Sequence, residues 1–209
     1  MSRNNIVTQQ NDPHELLEVF DAAGRPTGIA KARSAMHLDG DWHQAFHCWI
    51  VRPGPEIVLQ RRALDKDTFA GCWDAAAAGH WRFGETAAEA AREIEEELGL
   101  AVPFAELHFA GRERLARRFD NGLIDREHHQ VYVLCSSLPL SEYRPDPREV
   151  SAVAAFRAGD LVALLAGRSV SIRSVESNEG VAFEVSREQV VPYSVARIRR
   201  ILGSARATC

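Results

Sequence analysis

The stretch Gly79-His-Trp-Arg-Phe-Gly-Glu85-Thr86-Ala-Ala-Glu89-Ala-Ala-Arg92-Glu93-Ile94-Glu95-Glu96-Glu97-Leu98-Gly99-Leu100 decides how this chain is read. Thr86 to Leu98 is rich in Ala, Glu and Leu, a composition that predicts a helix, and Gly99 stands where a helix stops. Thr86, followed three residues later by Glu89, forms a capping box. Glu93, Glu96 and Glu97 lie at i, i+3 and i+4, so at ~100° per residue they converge on one face while Glu95 points elsewhere. Like charges at that spacing repel by a few tenths of a kcal/mol in water, and a divalent cation reverses the sign. Magnesium suits such a face, being a hard cation that prefers carboxylate and phosphate oxygens. Taken alone, the run is either a solvated helix surface or a metal site.

Upstream of this segment, Glu15 to Phe20 and Ile29 to Arg33 flank the turn-rich Asp21 to Gly28 and predict a hairpin. Trp42 to Val51 and Ile57 to Arg61, separated by Arg-Pro-Gly-Pro, predict an antiparallel strand pair. Downstream, Leu107 to Phe109, Gln130 to Cys135 and Val153 to Phe156 read as short strands, and Asp160 to Ala166 as a short helix. A strand pair around Ser171 to Val185 and a helix over Tyr193 to Leu202 close the chain. The domain reading is a polar tail over residues 1–13, a main domain over 14–165, and a C-terminal extension over 166–209 packed on it.

The chain has 209 residues, 45% hydrophobic and 26% charged, which fits one globular domain with a real core and excludes disorder, collagen and coiled coil. Twenty-five Lys and Arg against 29 Asp and Glu give a net charge of −4, leaving no general cationic field for nucleic acid or an anionic membrane. Cys48, Cys72, Cys135 and Cys209 show no paired spacing, which argues against a disulfide framework or a zinc ribbon. The N-terminus lacks a basic region followed by an apolar stretch, and no run of ~18 apolar residues occurs, so the expected location is the cytoplasm.

The segment Gly79 to Leu100 resembles the Nudix box, G-x5-E-x7-R-E-U-x-E-E-x-G-U with U aliphatic. Gly79 and Glu85 match its first half; Arg92, Glu93, Ile94, Glu96, Glu97, Gly99 and Leu100 fill its second. One departure stands out: six residues, Thr86 to Ala91, separate Glu85 from Arg92 where the pattern has seven. Losing a residue inside a helix rotates all later side chains by ~100°, so the loss has to be absorbed at the loop-to-helix junction for Glu85 to reach its usual partner. The resemblance implies an α/β/α sandwich with a mixed sheet and a hydrolase that splits a small-molecule diphosphate. It also implies magnesium, or manganese in its place, held by Glu93, Glu96, Glu97, Gly79 and Glu85. Glu93, Glu96 and Arg92 then carry the catalysis, with one of the carboxylates or a loop group as base and Arg92 as the orienting partner of the acidic cluster. No nucleic-acid or membrane partner is expected; many relatives are dimers, and the sequence leaves monomer and homodimer both open.

The resemblance extends over roughly residues 16–165 to type-1 isopentenyl-diphosphate isomerases, which share the fold. His37, Trp42 to Phe46, Leu59 to Ala63, Lys66, Trp73, Gly79-His80 and Asp125 to Glu127 are similar to parts of those enzymes. By that likeness His37, His43, His80, Asp125 and Glu127 would form a second metal site. The plainer reading makes His37 a surface loop residue and His43 and His80 hydrogen-bonded structural residues. No motif supports His47, His128 or His129. Ala78 sits where the isomerases carry a proton-exchanging cysteine, and an alanine methyl cannot do that work; the hydrolase is therefore favoured over an isomerase, and over a catalytically weak diphosphate-binding module. Gln60, Arg61, Arg62 and Lys66 follow a strand and either meet substrate phosphate or are surface charge. Trp73 and Trp81 either stack on substrate or pack the core. Arg112, Arg114, Arg117 and Arg118, and likewise Arg197, Arg199 and Arg200, read as solvated faces, the second group with a phosphate or partner contact as the alternative.

Overall fold

The computed structural model describes residues 15–208; the expected tail over 1–13, His14 and Cys209 lie outside the described residues. The elements in chain order are β1 (Leu16–Phe20), β2 (Pro26–Ala32), α1 (Arg33–Asp39), β3 (Trp42–Arg52), β4 (Glu56–Arg62), β5 (Trp73–Asp74) and β6 (Ala77–His80). They continue with α2 (Ala87–Ala90), α3 (Arg92–Leu98), β7 (His108–Arg118), β8 (Ile124–Cys135), β9 (Val150–Arg157) and α4 (Ala158–Leu165). The chain closes with β10 (Ser171–Arg173), β11 (Glu176–Ser177), β12 (Glu184–Ser186) and α5 (Val195–Thr208).

β3 is the axis of the molecule. Every residue from His43 to Val51 is buried, the polar His43, Gln44 and His47 included, because both faces of the strand are covered, as in a central strand. Along one edge it pairs in parallel with β8, from Trp42↔Arg126 to Val51↔Cys135. Along the other it meets β6 antiparallel at residues 45–48 and β4 antiparallel at residues 50–52. Side chains alternate across the sheet. Phe46, Cys48 and Ile50 pack with Tyr132 and Leu134 under α2 and α3, where Ala90, Ile94 and Leu98 close the layer. Trp49 and Val51 pack with Val131 and Val133 under α4 and α5, where Leu161, Leu164, Ile198 and Ile201 close the other. The result is a mixed sheet between two helical layers.

Both expected hairpins form, with β1 and β2 paired across Leu16↔Ala32 and β3 and β4 across Ile50↔Val58. Two expectations need correction. The helix expected over 86–98 is two, α2 and α3, broken at Ala91 (φ −65°, ψ −10°). The strands expected at 107–109 and 130–135 are longer, running 108–118 and 124–135 as a continuous antiparallel ribbon that absorbs Arg112 to Arg118. Cys48 and Cys72 are free thiols, Cys48 buried and Cys72 half-buried. Within residues 166–208, β10 pairs with β12, β11 joins the main sheet beside β9, and α5 packs against β7, β8 and α4. Trp73 is a core residue, edge-on to Phe156 and Phe183.

Candidate active site

The acidic helix starts from a cap that the sequence encodes locally. Glu89 N–H donates to Thr86 Oγ1 at 3.4 Å and Thr86 N–H to Glu89 Oε2 at 2.8 Å. α2 gives way to α3 at Ala91, and Arg92, the first residue of α3, reaches back toward the loop. Its Nε and Nη2 donate to the two oxygens of Glu85 at 2.8 and 3.2 Å. Its Nη1 donates to Glu93 at 2.5 Å and Glu96 at 2.9 Å, while Nη2 also reaches the His80 carbonyl at 3.1 Å. One guanidinium thus ties loop, helix and β6 together, using the planar fork that only arginine has. The shortened spacing between Glu85 and Arg92 therefore still leaves Glu85 bound to Arg92.

Glu93 and Glu97 point into a cavity beneath the sheet end, buried to 1% and 3% exposure. The Glu93 carboxylate fills the volume a side chain at residue 79 would need: a Cβ on Gly79 would sit 2.2 Å from its Cδ. Glu97 Oε2 accepts from Ala78 N–H and from Gln60 Nε2, both at 2.9 Å. Burial pushes Glu97 up to about 8, against the Ala78 hydrogen bond that opposes it. Burial likewise lifts Glu93 well above the carboxylate range, with Arg92 opposing and the neighbouring glutamates adding to the rise. Glu96 and Glu85 stand outside the cavity wall, held by Arg92 and Arg82.

His37, His80, Asp125 and Glu127 line the same cavity, and the fully buried His43 stands beside them. The parallel register of β3 with β8 puts His43 opposite Glu127, and β6 brings His80 opposite Ala45. His37, from α1, completes a triangle with His43 and His80, ring centroids 4.9 to 5.1 Å apart. His80 Nε2 lies 3.3 Å from Glu127 Oε1, and His43 Nε2 lies 3.7 Å from Asp125 Oδ1. Burial lowers His37 to about 2 and His43 to about 3, with the neighbouring imidazoles adding to the fall, so both are neutral and keep a free lone pair. His43 Nδ1 sits 3.2 Å from the Asp41 carbonyl, which fixes its proton there and aims Nε2 at the cluster. His37 is buried, as are His43 and His80 for the most part, so the surface-loop reading of His37 is corrected.

The donors present fit divalent cations. Among the described residues, Glu93 Oε2, His37 Nε2, His43 Nε2 and Asp125 Oδ1 are buried with no hydrogen-bond partner, an arrangement that is costly unless something charged meets them. Groups of His37, His43 and His80, and of His43, Asp125 and Glu127, each bring ligand atoms within 4.8 Å of one another. The oxygen donors on α3 suit a hard ion, and the mixed imidazole and carboxylate set suits a softer one.

A family model of the NUDIX domain matches residues 41–176. The chain belongs to the Nudix family. Nudix hydrolase 3 of Arabidopsis thaliana is 37% identical over 146 residues, which is 66% of this chain and 19% of that much longer protein. An isopentenyl-diphosphate Delta-isomerase of Streptomyces griseus is 34% identical over 149 residues, covering 70% of this chain and 73% of the isomerase. The crystal structure of DR0079 from Deinococcus radiodurans has the same fold, with a TM-score of 0.55 at 22% identity over 73% of this chain and 90% of that one. The α/β Nudix fold expected from the box is therefore the fold of this chain.

The basic residues behave differently from one another. Arg62 and Lys66 line the cavity, yet Arg62 donates to Asp74 at 3.2 Å and to the Thr68 carbonyl, and Lys66 is paired with Glu149. Arg61 is outside the cavity wall and donates to the Gly71 carbonyl at 3.1 Å, while Gln60 serves Glu97. The sequence reading missed Glu15, Arg33, His47, His129, Tyr193 and Arg197. Glu15, Arg33, His47, His129 and Tyr193 reach the cavity by packing between distant elements, for which no local signal exists. Arg197 is the exception: read as solvated, it is 3% exposed, and its place one turn before Ile201 on the apolar face of α5 is a periodicity the sequence does contain.

Proposed function

We propose that this Nudix protein is a magnesium-dependent hydrolase that cleaves the diphosphate linkage of a nucleoside diphosphate derivative or a related organic diphosphate, with water as nucleophile. The observation that carries the reading is the Glu93 and Glu97 pair, two carboxylates buried on adjacent turns with Glu93 Oε2 unpartnered. Burying such groups costs several kcal/mol each unless a cation meets them, and a diphosphate needs a cation at the same place. When bound, magnesium, or manganese in its stead, would neutralise phosphate oxygens and make water acidic enough to attack at neutral pH. Glu93, Glu97 and the Gly79 backbone would hold it, with Glu96 and Glu85 as further oxygen donors on rotation away from Arg92. The general base is one of these carboxylates, and Arg92 keeps their array in register. Arg62 and Lys66 meet the phosphates by exchanging with Asp74 and Glu149, and Arg33, whose buried Nε has no partner among the described residues, is a further cavity cation. His37, His43, His80, Asp125 and Glu127 form a second cation site.

That second site also favours an isomerase-like reading, and Ala78 speaks against it. Its backbone N–H is engaged by Glu97, and its side chain has no proton to exchange. The test is a magnesium-dependent screen over nucleoside diphosphate sugars, dinucleotides, coenzyme A, thiamine diphosphate and prenyl diphosphates, with products identified by mass. Hydrolysis should appear, and Glu97→Gln should lower it by ~100-fold or more. Unchanged turnover in Glu97→Gln and Glu93→Gln would remove the assignment. Deuterium uptake from solvent into isopentenyl diphosphate without phosphate release would establish the isomerase, and tight binding with no turnover would leave a binding module.

A further inference from the structure

His47, Glu127 and His129 bring ligand atoms within 4.8 Å of one another and resemble a third metal site. The hydrogen bonds at His129 point elsewhere. Its Nδ1 lies 2.8 Å from Arg197 Nη2, and its Nε2 lies 2.5 Å from Glu127 Oε2. A guanidinium offers only donors, so a proton on Nδ1 would face another donor; the ring proton therefore sits on Nε2 and is given to Glu127. With both nitrogens engaged, His129 has no lone pair left for a cation. Arg197 is itself pinned, because Glu113 takes both it and Arg200, and its guanidinium stacks 4.7 Å over the Tyr193 ring. His47 stacks on His129 at 4.0 Å and holds the ring plane. At the far end, Glu127 is left with Oε1 facing His80 Nε2 at 3.3 Å and His43 Nε2 at 3.9 Å.

We propose that Arg197 is a positioning residue for the histidine cation site: from the C-terminal helix it selects the His129 tautomer, and His129 in turn fixes Glu127 with one oxygen presented to His43 and His80. Arg197 lies beyond residues 41–176, the span matched by the family model, so on this account α5 completes the site as well as covering the core. The inference rests on reading His37, His43, His80, Asp125 and Glu127 as cation ligands. A partner that orients a ligating group is worth about 10- to 100-fold in metal affinity.

The experiment uses the full chain and Co2+ as probe, since visible bands of imidazole-ligated Co2+ report the histidine site rather than the glutamate one. Co2+ titrations compare wild type, His43→Ala and Arg197→Met, and 15N shifts of the His129 ring report its tautomer. The expected result is an Nε2-protonated His129 in wild type, loss of that signature in Arg197→Met, and Co2+ affinity weakened about 10- to 100-fold. Weakening in His43→Ala with none in Arg197→Met overturns the relay alone; no weakening in either overturns the cation reading beneath it. Should Arg197→Met fail to fold, His129→Gln and His129→Leu carry the test. Glutamine can accept from Arg197 and donate to Glu127, so it should bind Co2+ within a few-fold of wild type, whereas leucine should lose the affinity; equal binding by the two overturns the proposal.

Discussion

Glu97 shows how a buried group links the site to stability. Burial raises its folded value to about 8, while in the unfolded chain it titrates near the ordinary carboxylate value of 4.5. Below that ordinary value both states hold the proton and nothing is gained or lost. Between the two, the native state binds a proton that the unfolded state has released, so stability falls as pH rises, and the fall ends near pH 8. At 1.36 kcal/mol per pKa unit the loss reaches at most about 5 kcal/mol, and Glu93, shifted in the same direction, adds to it. Urea denaturation of metal-free protein should therefore show stability declining from pH 5 to pH 8.5, with a shallower slope in Glu97→Gln. Saturating Mg2+ should flatten the wild-type slope, because a carboxylate that binds a cation has already given up its proton. A level profile in chelator would refute the burial argument. The sequence exposed Glu93, Glu96 and Glu97 through spacing alone, yet it could not distinguish the buried Glu93 and Glu97 from Glu96, which Arg82 and Arg92 hold off the cavity. That distinction comes from Gly79 on β6 and Gln60 on β4, which meet α3 through tertiary packing that no local pattern encodes.

Between Gly79 and Gly99 the chain is legible because its signals are local. A capping box, a terminal glycine in the left-handed region at φ +68°, and an i, i+3, i+4 triad all act within a few residues. What escaped was the break at Ala91, since nothing in Ala90-Ala91-Arg92 disfavours helix. The break is imposed from outside, by Arg92 binding Glu85 on the loop and the His80 carbonyl on β6. The β7 and β8 ribbon escaped for a different reason. Its outer half alternates polar residues on both faces, so no apolar period marks it, and its strength lies in the ladder from His108↔Val133 to Arg118↔Ile124. The role given to Arg92 predicts that Arg92→Lys, which keeps the charge but not the fork, will cost about 1 to 3 kcal/mol in urea denaturation. Turnover should fall by ~10-fold, because the loop and α3 then lose their common register. A variant as stable and active as wild type would mean that charge alone suffices there.

Residues 166–208 bear on how far the folding unit extends. The sequence reading treats them as an addition to a domain ending at 165, and the family model stops at 176, yet α5 supplies both a core layer and a polar relay. Ile198 and Ile201 are fully buried in the cluster built on Trp49, Val131 and Phe156, on the sheet face that also carries His43, His47, Glu127 and His129. We therefore take the extension and the Nudix region as a single cooperative unit. If α5 were a separable appendage, removing side-chain volume from it would leave the main transition unmoved. As part of the core, Ile198→Ala should lower the stability of the entire chain by about 2 to 5 kcal/mol, whereas Arg199→Ala, exposed on the opposite face, should stay within about 0.5 kcal/mol of wild type. Urea transitions followed by near-UV tryptophan signals and by far-UV helix signals should coincide in both variants. An early helix transition in Ile198→Ala, with the tryptophan transition unchanged, would divide the chain into two units and remove α5 from the architecture of the site.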